Sequence, residues 1–157
     1  MKKLLLVGVA LVFAGALSAK NYPHSDAGVQ VNIPGNWKVT GDEHSLSAST
    51  KDDLAHLYFI VMPAESMEAA LNSLDAELAK VVQGLTHGEA EKTELNGMEA
   101  IHVDGHGTVE GHGVEVGVMV VKSPTGKIVL VLGMIADEGA KKHHNALVKI
   151  LKSLKPL

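Results

Sequence analysis

The sequence predicts an α/β sandwich in which helices pack on an antiparallel sheet. Residues 54–62 and 127–136 form two strands with almost no polar face, which implies a sheet covered on both sides. Short turns join the later strands, and such turns favour antiparallel pairing over crossover units. Two segments with helical spacing of apolar residues, 67–82 and the stretch after Asp137, supply the covering layers.

The first part of the domain is built from short extended segments. Residues 20–27 form a polar lead-in, and residues 29–33 alternate apolar and polar side chains, which predicts a half-buried strand. Pro34 and the glycine after it end that strand with a turn. Further short extended segments are expected at 37–39 and 46–49.

Two amphipathic helices are expected. Ser66 is a suitable N-cap for the first, which runs from residue 67 to about 82 and leaves through Gly84 and Gly88. Asp137 is expected to cap the second. Its apolar stripe consists of Ala140, Leu147, Ile150, Leu151 and Leu154.

The later strands are joined by tight turns. Residues 89–95 form a weak strand that turns at Asn96-Gly97. Residues 99–109 and 114–122 form the clearest hairpin, around the glycine-rich stretch 110–113. These strands complete the predicted sheet before the final helix.

The first nineteen residues carry the three parts of a cleavable export signal. Lys2 and Lys3 give a positive start, residues 4–16 form an apolar run, and small side chains follow as far as Ala19. The run has 13 residues, whereas spanning a bilayer takes roughly 20. We expect cleavage after Ala19, with a cut after Ala16 as the alternative and an uncleaved anchor or buried helix as the competing interpretation.

Residues 20–157 are therefore expected to form a single mature domain that is soluble, periplasmic or secreted, and without a stable membrane anchor. Removing the two N-terminal lysines changes the formal net charge from −4 to −6, and the chain has no arginine. An acidic chain without arginine and with few aromatic residues is a poor match for nucleic acid and for anionic lipid. Without cysteine it uses neither disulfides nor thiol chemistry.

The stretch AGVQVNIPGNW at residues 27–37 resembles the G-x-x-x-x-x-P-x-x-W opening of PsbP-like proteins. The turn at Asn96-Gly97 into a long hairpin and the closing helix that ends near Ser153 are also similar. The resemblance implies an α/β/α sandwich over most of residues 20–157. It implies little about function, because members serve as assembly factors, transport cofactors or envelope proteins. Metal binding is associated with photosynthetic members, but their ligand positions have no match here.

Trp37 is the only tryptophan, and it follows the turn at Pro34. We expect its side chain to fill the core at one end of the sheet. A role in stacking on a ligand is the alternative.

Nine histidines give the sequence its one suggestive constellation. Strand alternation places His102, Asp104 and His106 on one face of the first hairpin strand. Ligands two residues apart on a strand are about 6.6 Å apart at Cα, which suits a shared zinc, copper or nickel ion. If Gly111-His112 forms a two-residue turn, His106 lies opposite Gly117.

The histidine face needs a further ligand, because His102 and His106 are about 13 Å apart at Cα. His143 or His144 could complete it if the last helix lies over this face. The competing interpretation is that these histidines form hydrogen bonds with their neighbours or face water. On that interpretation no metal cofactor is bound.

We expect a non-enzymatic binding or assembly module that acts on a protein or small ligand in the cell envelope. The alternative is an extracytoplasmic metal-binding protein that uses His102, Asp104 and His106. A hydrolase is the third hypothesis, although the sequence has no G-x-S-x-G nucleophile motif. The glycine-rich stretch 105–113 lacks the lysine and hydroxyl residue of a phosphate-binding loop.

Overall fold

The computed structural model describes residues 18–157, so the apolar run of the proposed export signal lies outside the described residues. Within this stretch the chain forms two α-helices and eleven strands. In chain order they are β1 (Lys20–His24), β2 (Val29–Ile33), β3 (Lys38–Gly41), β4 (Ser45–Ser49), β5 (Ala55–Met62), α1 (Met67–Val81), β6 (Gln83–His87), β7 (Glu91–Leu95), β8 (Met98–Val109), β9 (His112–Lys122), β10 (Ile128–Ala136), α2 (Ala140–Lys152) and β11 (Lys155–Pro156).

The strands of the described chain form two antiparallel sheets. The large sheet has the order β3-β4-β5-β10-β9-β8-β6, and β7 pairs with β8 beside β6. The small sheet has the order β1-β2-β11. The predicted fold class is therefore confirmed: the sheets are antiparallel and two helices pack on them.

The helices cover opposite faces of the large sheet. Along β10, Leu130 belongs to the core cluster beneath α1, whereas the next residue, Val131, belongs to the cluster beneath α2 and the small sheet. The same alternation holds for Val120 and Val121 on β9. Apolar side chains on both faces are what the uninterrupted apolar strands predicted.

The helix predictions are confirmed in part. The Oγ atom of Ser66 accepts a hydrogen bond from the amide of Ala69 at 3.1 Å, as the predicted N-cap requires. The prediction that Asp137 caps the second helix is wrong. Asp137 begins a short 3₁₀ turn, Asp137–Gly139, and its carboxylate faces His106 instead of the helix.

Three strands form where the sequence did not predict them. One is β11, which pairs with β2 through Lys155 opposite Gln30. The other two lie in the polar lead-in and at the exit of α1. The polar lead-in contains β1, which pairs with β2 from Lys20 opposite Ile33 to His24 opposite Val29. The helix exit contains β6, which pairs with the part of β8 that extends beyond β7. Both are stabilised by backbone pairing with a neighbouring strand, and the apolar pattern of their own residues does not reveal it.

The β8–β9 hairpin turns within the predicted stretch 110–113, one residue before the Gly111-His112 position that would place His106 opposite Gly117. Glu110 and Gly111 occupy the turn with φ values of +51° and +83°, as a two-residue type I′ turn requires. A turn at Gly111-His112 would have needed a positive φ at His112. In consequence His106 lies opposite Glu115, and Asp104 lies opposite Gly117.

Trp37 is buried in the core, with 7% of its surface exposed, as predicted. Its backbone amide donates a hydrogen bond to the carbonyl of Pro34 at 3.1 Å, which closes the turn after β2.

The two helices were compared with the dimensions of a membrane span. Across residues 18–157, neither helix has the length and apolar character needed to cross a bilayer.

Candidate functional site

The predicted histidine face is the side of β8 that carries His102, Asp104 and His106. The three residues do lie on one face, but their side chains do not all contact one another. The Nε2 atom of His102 lies 3.0 Å from Oδ1 of Asp104. His106 pairs with Asp137, whose Oδ1 lies 3.1 Å from its Nε2 atom. The residues brought together are therefore His102 and Asp104, and His106 lies with a carboxylate from the turn before α2.

α2 lies over this face, as the metal hypothesis required. A cavity of about 290 Å³ beneath the helix is lined by His102 and Asp104 from β8 and by His144 and Leu147 from α2. The Nδ1 atom of His144 is 3.9 Å from Oε2 of Glu115 on β9. His144 is thus the helix histidine that reaches the predicted site.

Two facing glycines make room for this cavity. Gly117 on β9 lies opposite Gly133 on β10. A Cβ at Gly133 would come within 3.0 Å of a methyl carbon of Leu147, so the glycine lets α2 approach the sheet closely. At Gly117 the nearest atom to an added Cβ is Oδ1 of Asp104, 3.6 Å away.

The cavity beneath α2 contains His–carboxylate pairs rather than an assembled metal centre. Over the part of the chain that is described, no three His, Cys, Asp or Glu side chains converge closely enough to hold one ion. The Asp104 side chain is 76% exposed, and ion pairs in such surroundings contribute little to stability. Metal binding by His102, Asp104 and His106 stays a prediction.

A larger cavity lies on the other face of the large sheet, between α1 and the strands β6, β8 and β9. We call it the α1 groove. Its volume of about 640 Å³ falls within the range of roughly 300–1,000 Å³ that is typical of small-molecule sites. The walls of the groove are formed by the apolar side chains of Leu71, Leu74, Leu78, Leu85, Val103, Val116 and Val118.

Glycines on β8 let side chains from the end of α1 and from β6 pack directly against that strand. At Gly107 an added Cβ would lie 2.4 Å from a methyl carbon of Val82, and at Gly105 it would lie 3.2 Å from a methyl carbon of Leu85. Leu85 therefore rests against the backbone of β8. It forms the side wall of a groove whose floor is the valine face of β9.

The mouth of the α1 groove is polar. The connection between β6 and β7 runs past it and contributes Gly88, Glu89 and Ala90 to the lining. The Nε2 atom of His87 lies 3.8 Å from Oδ1 of Asp75 on α1. Apolar walls with a few polar groups at the opening are the usual composition of a small-molecule site.

Strand alternation and helical spacing predict apolar side chains on β8 and α1, but the sequence does not predict the groove between these elements. The position of α1 on the sheet decides whether the apolar surfaces of α1 and β8 touch or leave a gap. That position is set by tertiary packing, which strand and helix periodicity do not reveal.

The two-sheet arrangement with a helix on each face of the large sheet defines a PsbP-like fold. The cyanobacterial PsbP protein CyanoP from Synechocystis sp. PCC 6803 has this fold, with a TM-score of 0.64, 11% identity and coverage of 92% of this chain and 96% of that one. The Ran-binding protein Mog1p of Saccharomyces cerevisiae gives a TM-score of 0.56 at 8% identity, covering 88% and 95% of the two chains.

LpqN, described as involved in cell envelope biogenesis of Mycobacterium tuberculosis, is also similar, with a TM-score of 0.53 at 15% identity and coverage of 88% and 90%. No protein-family model and no curated protein matches the sequence. The structural likenesses show the fold alone, since unrelated functions share one fold.

Proposed function

We propose that this chain is an exported, non-enzymatic binding module that takes a small molecule with an apolar body in the α1 groove. The observation that carries the proposal is the open groove of about 640 Å³ between α1 and the sheet, whose walls are formed by leucine and valine side chains. Water in contact with such walls is released when an apolar ligand enters. Each 100 Å² of apolar surface removed from water contributes about 2.5 kcal/mol.

The walls of the groove favour binding over chemistry. Leu74, Leu78 and Val116 present only alkyl groups to the interior, and alkyl groups neither transfer protons nor attack a substrate. A ligand that buries about 300 Å² of apolar surface gains roughly 7.5 kcal/mol before the cost of association. That gain corresponds to affinities no tighter than the micromolar range, as expected of a carrier or sensor.

The proposed location outside the cytoplasm rests on the N-terminal sequence. Lys2, Lys3 and the apolar run at residues 4–16 have the composition of a cleavable export signal. The fold supports the proposal, because LpqN, a protein named for a role in envelope biogenesis, shares it. Mass spectrometry of the protein produced in a cell that exports it tests the idea. A chain beginning near Lys20 outside the cytoplasm is expected, and full-length chain in the membrane would contradict it.

Ligand binding in the groove can be tested with a neutral fluorescent probe, N-phenyl-1-naphthylamine, which brightens in apolar surroundings. Ala90 lines the mouth of the groove and is exposed, so Ala90→Trp should block entry without disturbing the core. Ala79 is exposed on α1 and lies outside the lining. Ala79→Trp is therefore the matched control.

We expect saturable binding to the wild type and to Ala79→Trp, and at least tenfold weaker binding to Ala90→Trp. Thermal unfolding midpoints of the two variants establish that both are folded. Equal probe binding by the two tryptophan variants would show that the probe does not enter the groove, and the proposed site would be wrong.

Metal binding is the second candidate function. It is favoured by the 3.0 Å approach of His102 to Asp104 and by the presence of His144 in the same cavity. His106 would have to leave Asp137 to join them. The α1 groove needs no such rearrangement, and for this reason we place it first.

A further inference from the structure

A third cavity, of about 670 Å³, lies beside α2 on the face of the large sheet opposite the α1 groove. Its walls come from the turn after β2, the turn between β4 and β5, and α2. Three lysines line it, Lys51, Lys142 and Lys149, and we call it the lysine cavity. Its location is separate from the histidine face, whose cavity lies beneath His144 and Leu147.

The one acidic residue of this lining is already neutralised within the protein. The carboxylate of Asp52 accepts hydrogen bonds from Nζ of Lys142 at 2.6 Å and from Oγ1 of Thr50 at 2.7 Å. Nε2 of His143, whose side chain is 12% exposed, lies 2.8 Å from the same carboxylate. Lys142 first, then Thr50 and His143, hold the pKa of Asp52 well below its usual range.

Because Lys142 neutralises the charge of Asp52, the net positive charge of the cavity comes from the other two lysines, Lys51 and Lys149. Lys51 and Lys149 are both exposed, and no salt bridge engages either of them within residues 18–157. A ligand with one or two negative charges would face these ammonium groups, and within residues 18–157 the lining contains no carboxylate other than that of Asp52. Lysine binds carboxylate and phosphate groups as a point charge.

The remaining lining is suited to the body of a compact ligand. Asn32, Asn36 and Ser153 supply polar groups, while Trp37 and Ile150 form the apolar floor. Oγ of Ser153 accepts a hydrogen bond from the backbone amide of Asn32 at 2.9 Å. This contact joins β2 to the end of α2 beside the apolar floor.

We propose that the lysine cavity binds a small organic oxyanion, a carboxylate or phosphate group carried on a compact apolar body. The anionic group lies between Lys51 and Lys149, and the apolar body lies over Trp37 and Ile150. This site is distinct from the α1 groove in both location and chemistry. The net negative charge of the chain does not reveal this basic cavity, because α2, which forms one of its walls, contains no acidic residue.

Phenyl phosphate is a suitable probe, with phenol as its neutral counterpart. Trp37 is the only tryptophan and lines the cavity, so its fluorescence reports binding there, and calorimetry gives the affinity. The test variant is Lys51→Gln/Lys149→Gln. The control is Lys141→Gln/Lys152→Gln, which removes two exposed lysines of α2 that lie outside the lining.

We expect phenyl phosphate to bind the mature protein and the control variant with similar affinity and to bind the test variant about tenfold more weakly, since each nearby charge changes affinity severalfold. Binding should weaken as salt is added, and phenol should bind at least tenfold more weakly than phenyl phosphate. Equal affinity of the two double variants, or no binding of phenyl phosphate to the wild type, would overturn the proposal. Neither result affects the α1 groove, whose probe is neutral.

Discussion

The side-chain amide of Asn96 donates a hydrogen bond of 2.7 Å to the carbonyl oxygen of Leu154, 58 residues further along the chain. A second hydrogen bond of 2.8 Å joins the same amide nitrogen to the carbonyl of Lys152. The last carbonyl groups of a helix have no partner within the helix. The turn between β7 and β8 therefore caps the end of α2 and ties it to the large sheet.

Replacement of Asn96 by Ala should lower the free energy of unfolding by about 1–3 kcal/mol, because carbonyl acceptors at the end of α2 lose their donor. Asn96 also has a φ of +50°, which Ala tolerates poorly. Asn96→Gly accepts that φ while it removes the hydrogen bonds, so it is the control for backbone strain. Denaturant unfolding should rank the wild type first, then Asn96→Gly, then Asn96→Ala. A glycine variant as stable as the wild type would show that the two hydrogen bonds contribute nothing.

Trp37→Ala should destabilise the protein by about 3–5 kcal/mol, the range for removing a buried large aromatic side chain. The indole is 7% exposed and packs in the core cluster beneath α2. Val81 is 57% exposed, so Val81→Ala is the comparison for a surface apolar residue. Urea denaturation of both variants measures the difference. A Trp37→Ala variant that unfolds at the wild-type midpoint would contradict the core role of the indole.

Stability should fall at low pH through Asp52. Because Lys142 and its other partners lower the pKa of this carboxyl in the folded state from 3.8, ionised Asp52 favours folding. Its contribution is fully present above the unfolded value and is lost as the pH falls towards the folded pKa. The unfolding midpoints of the wild type and Asp52→Asn should differ most above about pH 5 and should converge below about pH 4.

Removing the main partner provides the control for this pH effect. Lys142→Gln should reproduce part of the loss of stability caused by Asp52→Asn. In the double variant the loss should be smaller than the sum of the two single losses. A midpoint difference between the wild type and Asp52→Asn that stays constant down to about pH 2 would be inconsistent with a carboxyl stabilised in its ionised form.

The metal hypothesis gives a separate expectation. Zinc, copper or nickel at 100 times the dissociation constant should stabilise the folded protein by about 2.7 kcal/mol. This effect should be large at pH 7.5 and small at pH 5.5, because ligating histidine is neutral and histidine ordinarily protonates near pH 6.5. Thermal unfolding with and without metal at both pH values measures it.

Two variants distinguish the predicted metal site from adventitious binding by other histidines. His102→Ala/His106→Ala should abolish the stabilisation by metal, whereas His87→Ala/His112→Ala, which removes two exposed histidines elsewhere, should retain it. If the wild type and the His102→Ala/His106→Ala variant respond alike to metal, no metal binds at the histidine face.

Local pattern predicted those elements whose residues carry their own signal. Ser66 and the leucine spacing after it predicted α1, and the apolar runs predicted β5 and β10. β6 was missed because it is a strand only through its pairing with β8, with a register shift between Gln83 and Thr86. A strand that forms mainly through pairing with its neighbour does not show the apolar alternation by which strands are predicted from sequence.

The candidate site shows the same limit. Alternation on β8 placed His102 and Asp104 together correctly, because two residues on one strand are held by local geometry. His106 lies with Asp137, 31 residues away, and no spacing along the strand encodes that contact. Asp52 and His143 are 91 residues apart, so their pairing in the lysine cavity likewise depended on the tertiary fold.

The outer edge of β8 is covered by two strands of five residues, β6 and β7, which are separated by residues 88–90. Glu91, Lys92 and Glu94 are exposed along β7. An incoming copy of the chain would therefore meet two short rows of backbone groups with a gap between them. The row on β7 is flanked by charged side chains. Such an edge is a poor template for adding strands, and this border of the sheet is protected against aggregation.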